Sequence, residues 1–189
     1  MWFAVVESAR QADGARLTLG PSAAETAVGA DAVCRATVDD TARVCELDVT
    51  QRGAPNAPPL WFGEHRESTA QPPAVSLMAF TEHGVAAGRL LESVDLPQYV
   101  RSEDQVGAVR WYPATGEVDQ IYVQPQYRRR SIASALIAAA ATLALARDWP
   151  RLWSDGQRTE LGEQFRNGSP WRHRTADLSH LAPPMTPGG

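Results

Sequence analysis

Lysine is missing from all 189 residues, so every side-chain cation apart from histidine is an arginine. That bias, together with the many alanines, fits a GC-rich genome and leaves lysine chemistry out of any mechanism. Cysteine is almost as scarce: Cys34 and Cys45 are the two present. They flank a turn at 39–42 between two alternating runs, 32–38 and 43–49, which places both thiols on one sheet face, displaced by two positions. In a reducing cytoplasm such a pair is expected as two half-buried thiols, which excludes a disulfide framework. His65, His83, His173 and His180 are scattered, and no Cys or His partners stand at metal spacing, so no metal site is expected. Excess positive charge is lacking too: the net charge of −4 gives no general attraction to nucleic acid. The most apolar run, 132–146, is mostly alanine and falls short of the roughly 20 residues of a membrane span. The start, Met1-Trp2-Phe3-Ala4-Val5-Val6-Glu7, has neither the basic region nor the long apolar core of a signal peptide. A cytoplasmic protein is the expectation.

With 43% hydrophobic and 21% charged residues, the composition is that of an ordinary globular chain with one real core. Its first half reads as strands and turns: strands at 2–6 and 16–19, the hairpin at 32–49, and room for a helical turn at 22–30. Residues 51–59, with Gly53, Pro55, Pro58 and Pro59, read as loop, and 61–66 as a short strand broken by Gln71-Pro72-Pro73. Runs at 75–80 and 85–91 around Glu82-His83-Gly84 predict an antiparallel hairpin, and 96–104 a helical turn. Runs at 105–112 and 117–123, joined by Pro113-Ala114-Thr115-Gly116, predict another hairpin. Residues 131–147 predict a helix: eight of these positions are alanine, and Ile132, Leu136 and Leu143 recur at helical spacing. After Trp149-Pro150 come a short strand at 151–155 and a helix at 159–166, whose Leu161 and Phe165 read as a core stripe. The expected divisions are a β-rich extension at 1–50, a Pro/Gly-rich linker or loop at 51–74, a core at 75–180 and a frayed tail at 181–189.

The richest segment is 121–136. Ile121-Tyr122-Val123 forms a β-branched and aromatic run that stops at Pro125, crosses a loop holding Arg128, Arg129 and Arg130, and opens into the alanine-rich helix. Such a helix start presents unpaired backbone N–H groups and the positive end of the helix dipole, a ready site for phosphate or pyrophosphate. An arginine triplet alone is usually a solvated turn. Joined to the strand before it and the helix after it, the segment resembles the acyl-CoA-binding motif of the GNAT N-acetyltransferase superfamily. There the loop reads Arg/Gln-x-x-Gly-x-Gly/Ala, and Arg128, Ser131 and Ala133 fall at the three defined positions, with serine in place of the central glycine. Thr159-x-x-Gly162-x-x-Phe165, following a strand that contains Ser154, is similar to the end of phage and actinobacterial members.

The resemblance implies an α/β (α+β) fold: a central, mostly antiparallel mixed sheet with helices packed on it, here carrying a divergent β-rich N-terminal extension. It also implies acetyl-CoA as cosubstrate. Backbone N–H groups at Ile121, Tyr122 and Val123 would face the thioester, and Arg128, Arg129, Arg130, Ser131, Ile132 and Ala133 would hold the phosphates. Acyl transfer to an amine needs a base, and Glu117 and Asp119 share a face of the right strand; Glu117 is the expected base. The family often supplies a late tyrosine to protonate the leaving thiolate, but no tyrosine follows Tyr127. Ser154, Asp155 or His173 would substitute, or the thiolate, whose thiol has a pKa near 8.5, leaves unassisted. The expected function is N-acyl transfer from acetyl-CoA to a primary amine on a small molecule or protein, and a homodimer is compatible with it. The alternative is a non-catalytic GNAT-fold binding or structural protein.

Overall fold

The computed structural model describes residues 2–8, 11–19, 32–169 and 172–182. The chain builds two antiparallel-rich sheets with one long helix between them. The first sheet, in the order β2-β1-β3-β4, holds β1 (Trp2–Ser8), β2 (Gln11–Leu19), β3 (Ala32–Val38) and β4 (Val44–Val49). The second, in the order β7-β5-β6-β8-β9, holds β5 (Trp61–Glu67), β6 (Ala74–Phe80), β7 (Leu90–Glu92), β8 (Gln105–Tyr112) and β9 (Glu117–Val123). A corner joins them: Leu47 N–H donates to the Gly88 carbonyl and Gly88 N–H to that of Leu60. The helix α1 (Ile132–Ala146) follows β9, and the short strands β10 (Gln157–Arg158) and β11 (His180–Leu181) pair beside the peripheral helix α2 (Glu160–Gly168).

Alanine decides where α1 can lie. It packs on β8, β6 and β9 on one side and on β1, β3 and β4 on the other, and both sheets approach closely because most of its surface is methyl groups. Ile132, Leu136 and Leu143 are buried, as helical spacing predicts, but so are Ala138, Ala139, Ala140 and Ala144 on the intervening faces. A helix apolar all round is one surrounded by protein. Its single buried polar side chain, Thr142, donates its hydroxyl to the Ala138 carbonyl at 2.8 Å. Opposite it stands Cys34, fully buried, whose thiol pKa burial pushes up to about 12. The second thiol, Cys45, is half-buried, and both are free.

Several expectations needed correction. The 75–80 and 85–91 runs do not form a hairpin. β6 has its edges taken by β5 and β8, while β7 lies parallel to β5 in the register Phe62 to Leu90. Glu82 and His83 adopt positive φ of 59° and 62°, which turns the connection away from β6. Residues 51–59 are loop, as read, and the short strand read at 61–66 is β5, which runs between β7 and β6 with Trp61, Phe62 and Glu64 buried. At 96–104 there is one short 3₁₀ turn, Ser102–Asp104, preceded by another at Ser93–Asp95. Leu161 is half exposed rather than core, because α2 sits at the periphery and buries none of its residues. The helical turn read at 22–30 and residues 183–189 of the 181–189 tail lie outside the described residues, while Leu181 lies in β11. Among the described residues no helix is long and apolar enough to cross a membrane.

One ion pair fixes the far end of α1. Arg147, at the C-cap, donates from both terminal nitrogens to the two carboxylate oxygens of Glu64 at 2.6 Å each, and its guanidinium stacks 4.9 Å from the Trp149 ring. Glu64 is 2% exposed and accepts a further bond from Arg66 Nε at 2.8 Å. Burial alone would raise its pKa; the bonds and charge of Arg147 and Arg66 outweigh burial and hold the carboxyl below its ordinary value. The pair therefore stabilises the fold above the unfolded carboxyl pKa, about 4.3, and is lost as pH falls through the lower folded value. Arg147→Met leaves the buried carboxylate short of its main partner and should cost about 3–5 kcal/mol near neutrality. The gap to wild type should narrow on acidification, which urea unfolding at neutral and acidic pH would measure.

Candidate functional site

Strand β9 is where the sheet becomes a site. It pairs with β8 from Gly107–Val123 to Arg110–Gln120, then shifts, so that Trp111 faces Val118 and Asp119 is an extra residue with no counterpart. This is a β-bulge, which bends a strand and re-aims its groups. Gln124 N–H donates to the Val106 carbonyl at 3.0 Å. By strand alternation the N–H groups of Tyr122 and Gln120 also face β8, and those of Ile121 and Val123 face the opposite edge.

That edge is covered only at its start, by Trp153 in an isolated bridge to Glu117; the short strand expected at 151–155 does not form. Val118 N–H donates to the Trp153 carbonyl at 2.8 Å and Trp153 N–H to the Gly116 carbonyl at 3.0 Å. The chain then leaves: Ser154 N–H donates to the Arg174 carbonyl and Ala176 N–H to that of Ser154. Among the described residues no further backbone hydrogen bond joins β9 to this segment, so the two part after Val118; the opening between them, with its apex at Gly116 to Val118, is the candidate cleft. Gly116 makes the apex possible, since its φ is +77° and a Cβ there would sit 2.2 Å from the Arg151 carbonyl oxygen.

At the mouth of the cleft lies the arginine loop. A 3₁₀ turn, Pro125–Tyr127, leads into it, and Arg128 Nε donates back to the Val123 carbonyl at 3.3 Å. Arg128, Arg129 and Arg130 are all exposed, with Arg130 held 5.9 Å from the Tyr127 ring. Ser131 is the N-cap residue of α1 in the left-handed conformation, φ 54° and ψ 18°. The first helical bond runs from Ala135 N–H to the Ser131 carbonyl, which leaves the N–H groups of Ile132, Ala133 and Ser134 with no acceptor inside the helix. Gly107 keeps this end of the helix against the sheet, because a Cβ there would stand 2.8 Å from the Tyr122 carbonyl and 3.1 Å from Leu136 Cδ1.

The left-handed turn explains why glycine suits this position and how serine survives there. A side chain in that conformation costs roughly 1–2 kcal/mol. The Ser131 hydroxyl donates at 2.5 Å to the Pro55 carbonyl, tying the arginine loop to the 51–59 loop, and a net hydrogen bond of about 1 kcal/mol offsets much of that cost.

On the sheet face away from α1, Glu117 stands beside a polar chain. Asp119 accepts from Arg110 Nη1 at 2.6 Å and from the Tyr112 hydroxyl at 2.9 Å. Arg110 also donates from Nη2 and Nε to Glu67, which accepts from Ser76. The hydrogen bonds from Arg110 hold the Glu67 carboxyl below its ordinary pKa. Glu117 pairs with Tyr112 across the hairpin, which puts the two acids, Glu117 and Asp119, on one face as alternation predicts. Ser154 is not brought to them. The parallel bridge of Glu117 with Trp153 puts Trp153 on that face and turns Ser154 to the other, where its hydroxyl reaches its neighbour's carbonyl. His173 lies in an exposed 3₁₀ turn, Arg172–Arg174. Trp153, 41% exposed at the cleft apex with its Nε1 donating to the Thr115 carbonyl, escaped sequence reasoning. An aromatic in the strand after the long helix was the signal available. Among the described residues no His, Cys, Asp and Glu group could hold a metal ion.

Ser131→Ala, which keeps the strain and loses the hydroxyl, should destabilise by about 1 kcal/mol. Ser131→Gly, which relieves the strain as well, should come out near neutral. Paired thermal unfolding curves would show the order, and an alanine variant as stable as the glycine variant would refute it.

The family model described as Acetyltransferase (GNAT) family matches residues 45–161, from β4 through the start of α2. No curated protein and no solved structure matches the chain. The match covers the splayed strands, the arginine loop and α1 together, and on it the chain belongs to the GNAT acetyltransferase family, whose general chemistry is acyl transfer.

Proposed function

We propose that the protein is an acyl-CoA-dependent N-acyltransferase that moves acetyl from acetyl-CoA to a primary amine. The observation that carries this reading is the cleft between β9 and the strand at Trp153, open toward a helix N-terminus bordered by three exposed arginines. A thioester with a long diphosphate tail matches that shape. The free N–H groups at α1 and the guanidinium groups of Arg128 and Arg130 suit the phosphates, with Ile132 and Ala133 contributing backbone donors. The N–H groups of Ile121 and Val123 at the open edge suit a thioester oxygen that gains negative charge as the amine attacks.

Glu117 is the proposed base. It lies near the apex of the cleft, half-buried, with its own N–H bonded to the Thr115 hydroxyl at 3.2 Å. The attacking nitrogen forms a bond to the carbonyl carbon and gives up its proton to Glu117, directly or through water. The C–S bond then breaks and the thiolate departs; with a thiol pKa near 8.5 it needs little help. Ser154, on the other side of its strand, is the weaker candidate for assisting that departure. The acceptor is an amine on a small molecule or a protein.

A non-catalytic binding role is the second reading, favoured by Ser131, whose side chain occupies the position where glycine would leave the loop backbone bare. Calorimetric titration separates the two. Wild type should bind acetyl-CoA, and the Arg128→Ala, Arg130→Ala double variant should bind at least ~10-fold more weakly, since charge-assisted bonds contribute about 1.5–3 kcal/mol each. No heat at about 1 mM acetyl-CoA, where even a 4 kcal/mol interaction registers, would sink the enzyme reading. With an acceptor in hand, Glu117→Gln should lower kcat by at least about 100-fold and leave KM for acetyl-CoA nearly unchanged.

A further inference from the structure

Asp119 is the one residue of β9 with no partner on β8, and the two residues that grip its carboxylate, Arg110 and Tyr112, bracket Trp111, the residue at which the register shifts. We infer that Arg110 and Tyr112 are positioning residues that clamp the bulge through Asp119 and thereby aim the N–H groups of Ile121 and Val123 into the cleft. The inference rests on the acyltransferase reading for its consequence, and on the register for its geometry.

A strand presents its N–H groups alternately to its two edges, so a one-residue slip exchanges the groups that face β8 with those that face the cleft. If the bulge at Asp119 were ironed out, Gln120 and Tyr122 would turn their N–H groups to the cleft and Ile121 and Val123 would turn away. The ladder pairs on either side hold the two registers, Gly107–Val123 to Arg110–Gln120 and Trp111–Val118 to Tyr112–Glu117, but the extra residue between them makes no ladder pair of its own. At the bulge itself the hold comes from the side chain. One carboxylate oxygen is held at 2.6 Å by Arg110 Nη1 and the other at 2.9 Å by the Tyr112 hydroxyl, which spans the bulge from both sides. Arg110 is itself anchored. Its Nη2 and Nε reach Glu67 at 2.9 and 3.1 Å, and Glu67 accepts from Ser76 at 2.9 Å, so the clamp ties β9 through β8 to β6 and β5. The side chains of Arg110 and Glu67 are 24% and 27% exposed, and that of Asp119, at the solvent edge of the network, is 35% exposed. The phosphate-binding end is built separately, from α1 and its loop, and the clamp does not touch it.

The test reads the carbonyl. Acetyl-CoA labelled with carbon-13 at the thioester carbonyl shows by difference infrared spectroscopy how far a bound carbonyl is polarised. Wild type should shift the stretch to lower frequency on binding. Asp119→Ala and Arg110→Met should lose more than half of that shift while binding unlabelled CoA within about threefold of wild type, and Asp119→Asn, which keeps an acceptor for Arg110, should recover most of it. Tyr112→Phe removes one half of the clamp with little risk to folding and should give an intermediate shift, which keeps the inference testable if the other variants fail to fold. A full shift in Asp119→Ala or in Tyr112→Phe overturns the clamp. So does a loss of shift and of CoA affinity in parallel, which marks general damage. A wild-type chain that binds CoA without shifting the carbonyl also overturns it, whereas one that binds no CoA overturns the acyltransferase reading and the clamp with it.

Discussion

The close approach of α1 to two sheets at once is the constraint on which the rest of the molecule depends. Two sheets can face one helix only if its side chains are short in nearly every direction, and the run from Ala138 to Ala141 meets that demand. Because interiors are packed at near-crystalline density, a single larger residue there would force side chains off their rotamers and shift the neighbouring backbone, at a cost of about 1–3 kcal/mol. The helix axis is thereby fixed, and with it the point at which its first free N–H groups emerge beside the end of β9. Arg147 and Glu64 hold the opposite end, so the helix cannot slide along its axis without breaking a buried charge pair.

Elements with local signals were legible in the sequence. The long helix, to within one residue at each end, and the hairpin of β8 and β9 follow from composition, spacing and turn residues within a short window. The arginine loop was legible for the same reason. The pairing of β5 with β7 was not: three residues of β7 lie parallel to a strand far back in the chain, and their neighbourhood resembles an ordinary hairpin partner for β6. Periodicity shows which residues have a buried face, not which strand covers them. The bulge at Asp119 was equally hidden, since an extra residue in one strand is defined only against its partner. So was the opposite orientation of Ser154 and Glu117, which depends on which residue of the later strand bridges to β9.

An arginine-only complement of cations suits the architecture. Each of the main ionic contacts uses the planar fork that lysine lacks: Arg147 on both oxygens of Glu64, and Arg110 shared between Glu67 and Asp119. The fixed angle of the fork makes these contacts directional as well as attractive. They act as braces between strands. Arg128, Arg129 and Arg130 carry the same group exposed at the cleft mouth, with Arg128 on the Val123 carbonyl and Arg130 over the Tyr127 ring.

The strands that part beyond Gly116 and Val118 form a lever with its fulcrum at two backbone hydrogen bonds. From Val118 to Val123 the arm is about 17 Å long at the usual rise of roughly 3.3 Å per residue. With β9 held to β8, a difference of only ~5° in the angle at which the Trp153 segment leaves it changes the spacing at the far end by about 1.5 Å, close to the length added by one more carbon in an acyl chain. Small changes in how Trp153 seats against Gly116 are thus geared up at the mouth, and the width available to a ligand is set by residues that need never touch it.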